Sequence, residues 1–366
     1  MQNTIFKDLK VVELASVLAG PAVGLFFAEL GAEVVKIENK TTQGDVTRRW
    51  KLPSENQESE NQESEYSAYY CSVNWGKQAQ LLNLKDEADQ QIVKKLIQSA
   101  DVVITNYKAG AAEKLGMDAA TLRQLNPRLI YAYLSAFGEA STRTAFDVVL
   151  QAEAGFLFMT GEPHRDPVKM PVALIDILAA HQLKEAILLA LYQRTQTGQG
   201  SYVSVSLLEA ALASLANQAT NWLMGGHIPQ RMGTQHPNIA PYGDIFDTQD
   251  EKPVILAVGT EKQFVALCQC LGIPEVASDP RLSQNQARVQ NRALLKDVLK
   301  PAIAMHQLGA LMQAFHEQGV PAGQIRSMPE VFEQAKAQEM ILEEKMPDGT
   351  LSKRVKTVAF NIKPNR

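Results

Sequence analysis

The sequence predicts an α/β protein: a large domain on a Rossmann-like parallel sheet, followed by a smaller α+β domain. Three observations carry that prediction. Short apolar runs alternate with helical patterns through the N-terminal half, and the Gly/Pro-rich stretch GGHIPQRMGTQHPN then changes the texture of the chain. Beyond Val320-Pro321-Ala322-Gly323 the chain runs through Pro329 to Met340 and ends in short strands that return to the first domain. On this reading residues 1–225, completed by 330–366, form the large domain and residues 226–329 the small one.

Leu9 to Leu14 is a short apolar strand, Ala15 to Pro21 a turn, Ala22 to Leu30 a helix ended by Gly31, and Glu33 to Ile37 a second strand. Together they make a βαβ unit. Asp101 to Thr105 and Leu129 to Leu134 add two more strands, and the segment between them carries Glu113, Lys114, Leu122 and Leu125 in an amphipathic helical pattern. Ligands of such sheets gather beyond the carboxyl ends of the strands. The loops Ala15 to Pro21, Glu38 to Asp45, Asn106 to Gly110 and Ser135 to Gly138 are therefore expected to line one crevice. Ser54 to Glu65, SENQESENQESE, is a tandem polar repeat without an apolar residue, expected to be a solvated excursion. Later come a helix over Leu207 to Leu223, a hairpin of Tyr242 to Asp247 and Pro253 to Val258 around Asp250, and helices over Lys262 to Leu271 and Arg292 to Gln318, the latter with a break near Pro301.

The 366 residues are 45% hydrophobic and 21% charged, enough apolar content for a full core. A formal net charge of −4 offers no attraction to nucleic acid or to an anionic membrane, so neither is expected as a partner. Cys71, Cys268 and Cys270 cannot make a disulfide framework, and MQNTIFKDLK has no apolar signal core; the expected compartment is the cytoplasm. No G-x-G-x-x-G follows the first strand, which disfavours nicotinamide and flavin cofactors. The histidines His164, His181, His227, His236, His306 and His316 have no metal-ligand spacing, and no metal is expected.

The most informative residue is Asp176, flanked by Leu174, Ile175, Ile177 and Leu178 in PVALIDILAAHQLKEAILLALYQRTQTGQG. Burying that carboxylate costs roughly several kcal/mol unless hydrogen bonds or a partner charge offset it. One explanation is an N-cap, since Ala179, Leu183, Ala186, Ile187, Ala190 and Leu191 follow at helical spacing. The other is a nucleophile held at a helix start, kept ionised by backbone N–H groups and shielded from water. Both place the residue at the same spot.

Eight stretches in register then suggest a family. VVELASVLAGPAVGLFFAELGAEVVKIE, GDVTRRW, NWGK, TNYKAGAAEKLG, SAFGE, FDVVLQAEAGFLFMTG, ALIDILAA and RTQTGQG run from Val11 to about Gly200 and resemble the family III CoA-transferases, also called CaiB/BaiF. The resemblance implies a Rossmann-like CoA-binding domain and a small domain, in two chains interlocked as a homodimer. It implies that Asp176 is the nucleophile, and that the substrates are an acyl-CoA and a small carboxylic acid, with no permanently bound cofactor. For CoA it points to Val17, Leu18 and Ala19; to Asn74, Trp75, Gly76 and Lys77; to Asn106, Tyr107, Lys108 and Lys114; and to Ser135, Ala136, Phe137 and Gly138. Lys77, Lys108 and Lys114, with Lys40 and Arg48 nearby, are the cations available to the phosphates.

The chain departs from the family pattern at several positions. Asn39 stands where many members carry a basic residue, Ala109 replaces a proline, Leu18 and Ser135 replace the Gln and Lys of formyl-CoA transferase, and the loop Met232 to Pro237 lacks that enzyme's glycine run. Specificity positions are expected at Phe137, His164, Arg165, Gln235 and His236. A related alternative is a 2-methylacyl-CoA racemase, which needs two acid/base groups beside the α-carbon. Phe146 occupies the racemase histidine position and carries no proton, while Asp147 remains. A non-catalytic CoA-binding protein is the other alternative, and a retained, desolvated Asp176 speaks against it.

Overall fold

The computed structural model describes residues 5–56 and 64–362, in two compact units. The larger unit comprises residues 1–156, 170–227 and 336–366; the smaller comprises 157–169 and 228–335. Residues 157–169 thus group with the smaller unit, although sequence texture alone assigns them to the large domain. That texture changes only at the later Gly/Pro-rich stretch.

In the larger unit β1 (Lys10–Glu13), β2 (Glu33–Asn39), β3 (Gln78–Leu82), β4 (Val102–Thr105), β5 (Ile130–Ser135) and β6 (Tyr202–Ser206) form one parallel sheet in the order β3-β2-β1-β4-β5-β6. The central strands β4 and β5 are buried throughout, which is why they read as continuous apolar runs. The edge strands β3 (QAQLL) and β6 (YVSVS) are partly exposed and polar, and sequence patterning misses both.

Helices cover both faces. Ala19–Glu29, the long helix Leu174–Thr197 and Leu207–Ala213 pack on one side around Val23, Phe27, Leu183 and Ile187, while Glu87–Gln98 and Ala119–Leu125 pack on the other around Val93, Ile97 and Leu122. The first helix begins three residues before its predicted start. Pro21 lies in its first turn, where an absent N–H leaves no bond unmade. The helix expected over Leu207 to Leu223 is two, Leu207–Ala213 and Ala216–Gly225. Between them Ser214 Oγ donates to the Ala210 carbonyl at 2.8 Å and Ala216 turns to φ 47°.

The C-terminal hairpin β10 (Ile341–Lys345) and β11 (Leu351–Val355) belongs to this unit, where Arg354 pairs with Glu29 at the end of the first helix. Residues 57–63 of the polar repeat lie outside the described residues. On its described flank, Ser64 Oγ and the Glu65 N–H both donate to Asp348 Oδ2 at 3.0 Å.

The smaller unit holds a three-stranded antiparallel sheet, β7 (Tyr242–Asp247), β8 (Pro253–Ala257) and β9 (Ala322–Gln324). Its core gathers Phe246, Phe264, Leu267, Leu299 and Phe315. Helix Arg292–Ile303 carries Pro301 in its last turn and ends beyond it; the chain resumes as Leu308–Glu317, so the break falls after the proline.

Beneath the end of β1 lies a buried network of three acids and three bases. Glu13 accepts from Lys36 at 2.9 Å and from Lys77 at 2.7 Å, and Lys36 stands 3.1 Å from Asp45. Arg48 reaches Glu38 through bonds of 2.7 and 3.0 Å, and the Tyr70 hydroxyl donates to Glu38 at 2.6 Å. Equal charge of both signs is what allows so many ions to leave water together. Gly24 makes room for it: a Cβ there would stand 2.0 Å from Glu13 Oε2. Gly24→Ala is therefore expected to destabilise the protein by about 1–3 kcal/mol. Thermal unfolding of the variant checks this, and an unchanged midpoint contradicts it.

Candidate active site

The strand order reverses between β1 and β4, so the loops after these strands splay apart and leave a crevice. Asn106 clamps the two loops to each other: its Oδ1 accepts the Ser16 N–H at 3.1 Å and its Nδ2 donates to the Ser16 carbonyl at 2.9 Å. Val17 sits at φ 74°, an unfavourable conformation for a β-branched residue that costs about 1–3 kcal/mol. Its N–H is held by Asp45 Oδ2 at 3.1 Å, so the buried charge network fixes the loop from below. The resulting cleft has a volume of about 510 Å³, within the range of small-molecule sites.

Asp176 lines that cleft. It is not the N-cap of the long helix. The helix starts at Leu174 after Ala173, whose side chain makes no capping bond, and Asp176 lies inside the first turn. The cap comes from another element: Asp147 Oδ1 accepts the N–H of Ile175 at 2.6 Å and that of Asp176 at 3.3 Å. Gln151, itself buried, donates to Asp147 Oδ2 and accepts the Met170 N–H at 2.9 Å, fixing the approach to the helix. The amides expected to keep Asp176 ionised thus serve Asp147 instead. Burial, and then the nearby Asp147, push the Asp176 carboxyl up to about 7. Among the described residues no hydrogen-bond donor opposes that rise.

The cleft brings together Val17, Leu18, Ala19, Asn106, Tyr107, Lys108, Ser135 and Ala136 with Asp176. Phe137 and Gly138 continue the turn after Ser135, with the Gly138 N–H donating to Ser135 Oγ at 3.1 Å. Lys114 is exposed at the end of a short helix and does not line the cleft. Asn74, Trp75, Gly76 and Lys77 are not brought to it either. Lys77 points inward to Glu13, Pro21 and Asn74, and burial pulls it down to about 8. Trp75 and Gly76 face the C-terminal hairpin at Glu343 and Glu344. Arg48 is bound to Glu38 and Tyr70, and Lys40 is exposed outside the cleft.

Sequence reasoning misses Tyr133, Arg143, Thr144, Val149 and Leu207, which also line the cleft. Their signal was weak, because each is an ordinary residue type in a loop or helix and only the fold gathers them. The expected specificity positions other than Phe137 lie in the smaller unit, where Gln235 donates to Asp244 at 2.7 Å and His236 stacks edge-on to Tyr242.

A family model described as CoA-transferase family III matches residues 6–366. The chain belongs to CoA-transferase family III. It is 38% identical to the succinate–glutarate CoA-transferase of Agrobacterium fabrum over 95% of its own length and 87% of that protein. It is 35% identical to the acetyl-CoA:oxalate CoA-transferase of Acetobacter aceti, over 89% and 82% of the two chains. The crystal structure of a CaiB/BaiF family protein from Brucella suis matches with a TM-score of 0.84 at 37% identity, covering 98% of this chain and 93% of that one. In this family III chain no helix among the described residues is long and apolar enough to cross a membrane. Nor do the described residues include a group of three or more His, Cys, Asp or Glu side chains placed to hold a metal ion.

The acidity of Asp176 has a stability consequence. Its carboxyl titrates higher in the folded chain than in the unfolded one, so the folded state binds the extra proton and the protein loses stability as pH rises from about 4 to 7. Asp176→Asn removes that penalty, and its stability relative to the parent should grow by up to about 4 kcal/mol over this interval. Chemical denaturation at pH 5 and pH 8 measures it; an equal difference at both pH values rules the idea out.

Proposed function

We propose that the chain moves CoA from an acyl-CoA donor to a small carboxylic acid, with the Asp176 carboxylate as covalent carrier. The observation that carries this reading is a desolvated acid whose carboxylate has no hydrogen-bond donor among the described residues, lining the cleft where the parallel sheet reverses its order. A carboxylate in water is a weak nucleophile because its lone pairs are hydrated; here burial removes that shell.

Asp176 attacks the thioester carbonyl, the C–S bond breaks, and CoA leaves as thiolate, giving an acyl-aspartyl anhydride. The thiolate then attacks the aspartyl carbonyl and the donor acid departs, leaving an aspartyl-CoA thioester. An acceptor carboxylate repeats these two exchanges in reverse and regenerates Asp176. No net proton is consumed, but the attacking group must be ionised. Asp147 keeps the helix start and the nucleophile in place through the amides of Ile175 and Asp176. Phe146 also lines the cleft and carries no proton, so the position expected to pair with Asp147 in α-proton exchange holds no acid/base group.

CoA enters as substrate, its reactive end against Val17 to Ala19, Asn106 to Lys108 and Ser135 to Gly138, and no permanently bound cofactor is required. Lys114 and Lys40 are exposed cations that suit its phosphates. The relatives named for succinate, glutarate and oxalate support small acids as the acceptor class. Three free cysteines suit a reducing compartment, the cytoplasm.

Incubation with an acyl-CoA followed by intact-mass measurement should detect CoA on Asp176, cleaved by hydroxylamine. Asp176→Asn should lose the adduct and at least about a thousandfold in exchange rate. Turnover at full speed in that variant overturns the proposal. Exchange by the parent should rise with pH through the ionisation of Asp176, near 7, and level off above about 8.

The chain also acts, on this reading, as an interlocked homodimer. Leu223 and Met224 are 78% and 85% exposed at the end of helix Ala216–Gly225, and Leu189 and Tyr192 are each 69% exposed on the long helix. Exposed apolar side chains clustered in this way mark a surface that a second chain can cover. Light scattering on the purified protein should give twice the chain mass at micromolar concentration; a monomer there contradicts the assembly.

A further inference from the structure

We infer that Arg143 selects the acid: its guanidinium receives the second carboxylate of a dicarboxylic substrate whose first carboxylate exchanges CoA at Asp176. The inference rests on the CoA-transfer reading above and adds the substrate class to it.

Among the described residues lining the cleft, the charged side chains are Lys108, Arg143 and Asp176. A substrate carboxylate brought toward Asp176 and Asp147 meets like charge, and a cation in the same wall is needed to hold it there. Lys108 stands beyond β4 beside Asn106 and Tyr107, the loop that the CoA reading uses. Arg143 stands on the loop that leads into Asp147, close along the chain to the nucleophile's own support. A second anionic group at the acyl end of the substrate therefore has Arg143 as its partner.

The guanidinium is already arranged for a carboxylate. Its central carbon lies 3.8 Å above the Phe137 ring centre, and stacking on an aromatic face orients the planar fork while leaving its edge N–H groups free to donate. Those groups now engage Glu153 in an ion pair whose side chains are 58% and 39% exposed. Such a surface pair is weakly held, so an incoming carboxylate can take the place of Glu153 while the cation stays on its aromatic shelf. The Arg143 N–H donates to Ser141 Oγ at 3.3 Å, which steadies the loop. The same cleft offers Ala145, Phe146, Val149 and Leu207 as apolar lining. That combination suits a short hydrocarbon with a carboxylate at each end. Because the departing and entering acids use the same acyl site in turn, one arginine serves both.

The test compares glutarate with butyrate as acceptors, using acetyl-CoA as donor, in the parent, Arg143→Gln and Arg143→Lys. The parent should prefer glutarate. Arg143→Gln should lose about 10- to 100-fold in kcat/KM for glutarate, mostly through KM, and less than about threefold for butyrate. Arg143→Lys should recover part of the loss. Calorimetric titration of glutarate into parent and Arg143→Gln reads the same contact without turnover, and binding should weaken about tenfold or more. Equal losses for both acids, no preference in the parent, or unchanged glutarate binding each overturn the assignment. If the parent binds glutarate through Arg143 but never carries CoA on Asp176, the transfer reading fails and the carboxylate site stands.

Discussion

Two neighbouring acids at one helix start share a single set of backbone donors, and the division between them is unequal. Asp147 takes the amides of Ile175 and Asp176, while Asp176, in the first turn itself, receives none. One acid acts as a cap; the other is desolvated, repelled by its neighbour and raised to about 7. The site depends on that asymmetry. With the amides turned to Asp176, its carboxylate would be a satisfied cap, poorly suited to the attack proposed for it. The arrangement tilts the group's free energy upward in the resting protein, and the rest of the fold supplies the stability that tolerates it.

The loop after β1 is held in place by the charges beneath it. Glu13, Lys36, Lys77, Asp45, Glu38 and Arg48 neutralise one another out of water, and Asp45 holds Val17 in its strained conformation at the cleft. Lys77, which looks like a phosphate ligand in the sequence, belongs to this support. A lysine whose three donors are spent on Glu13, Pro21 and Asn74 has none left for an anion. On the proposed reading the CoA phosphates need other cations, and the exposed Lys40 and Lys114 are available.

Much of the fold was legible in the chain, because buried parallel strands are rich in apolar residues: β4 and β5 are nearly continuous apolar runs, and β1 and β2 keep paired valines beside their buried charges. The edge strands were not legible. β3 and β6 have one open side and carry Gln, Ser and Tyr, so their strand character comes from pairing with β2 and β5 rather than from their own pattern. The site divides in the same way. Asp176 stood out as a single acid in an apolar run, and the loops after β1, β4 and β5 were named by their position at the strand ends. Arg143, Thr144 and Leu207 gave no local signal, since a loop arginine or a helical leucine is ordinary anywhere else.

The sequence by itself determined which acid must be buried and, through motifs held in register, the family to which the chain belongs. It also determined three of the loops that converge on that acid, though not the expected Glu38 to Asp45, which lies outside the cleft. Hydrophobic periodicity and strand-end loops are local properties, written in neighbouring residues. Only the tertiary structure decided that Asp147 caps the long helix, that Lys77 is spent on Glu13, and that an arginine on an aromatic shelf shares the cleft with Asp176. Each of those joins residues from separate elements, and a hydrogen bond or an ion pair depends on distances that no local pattern encodes.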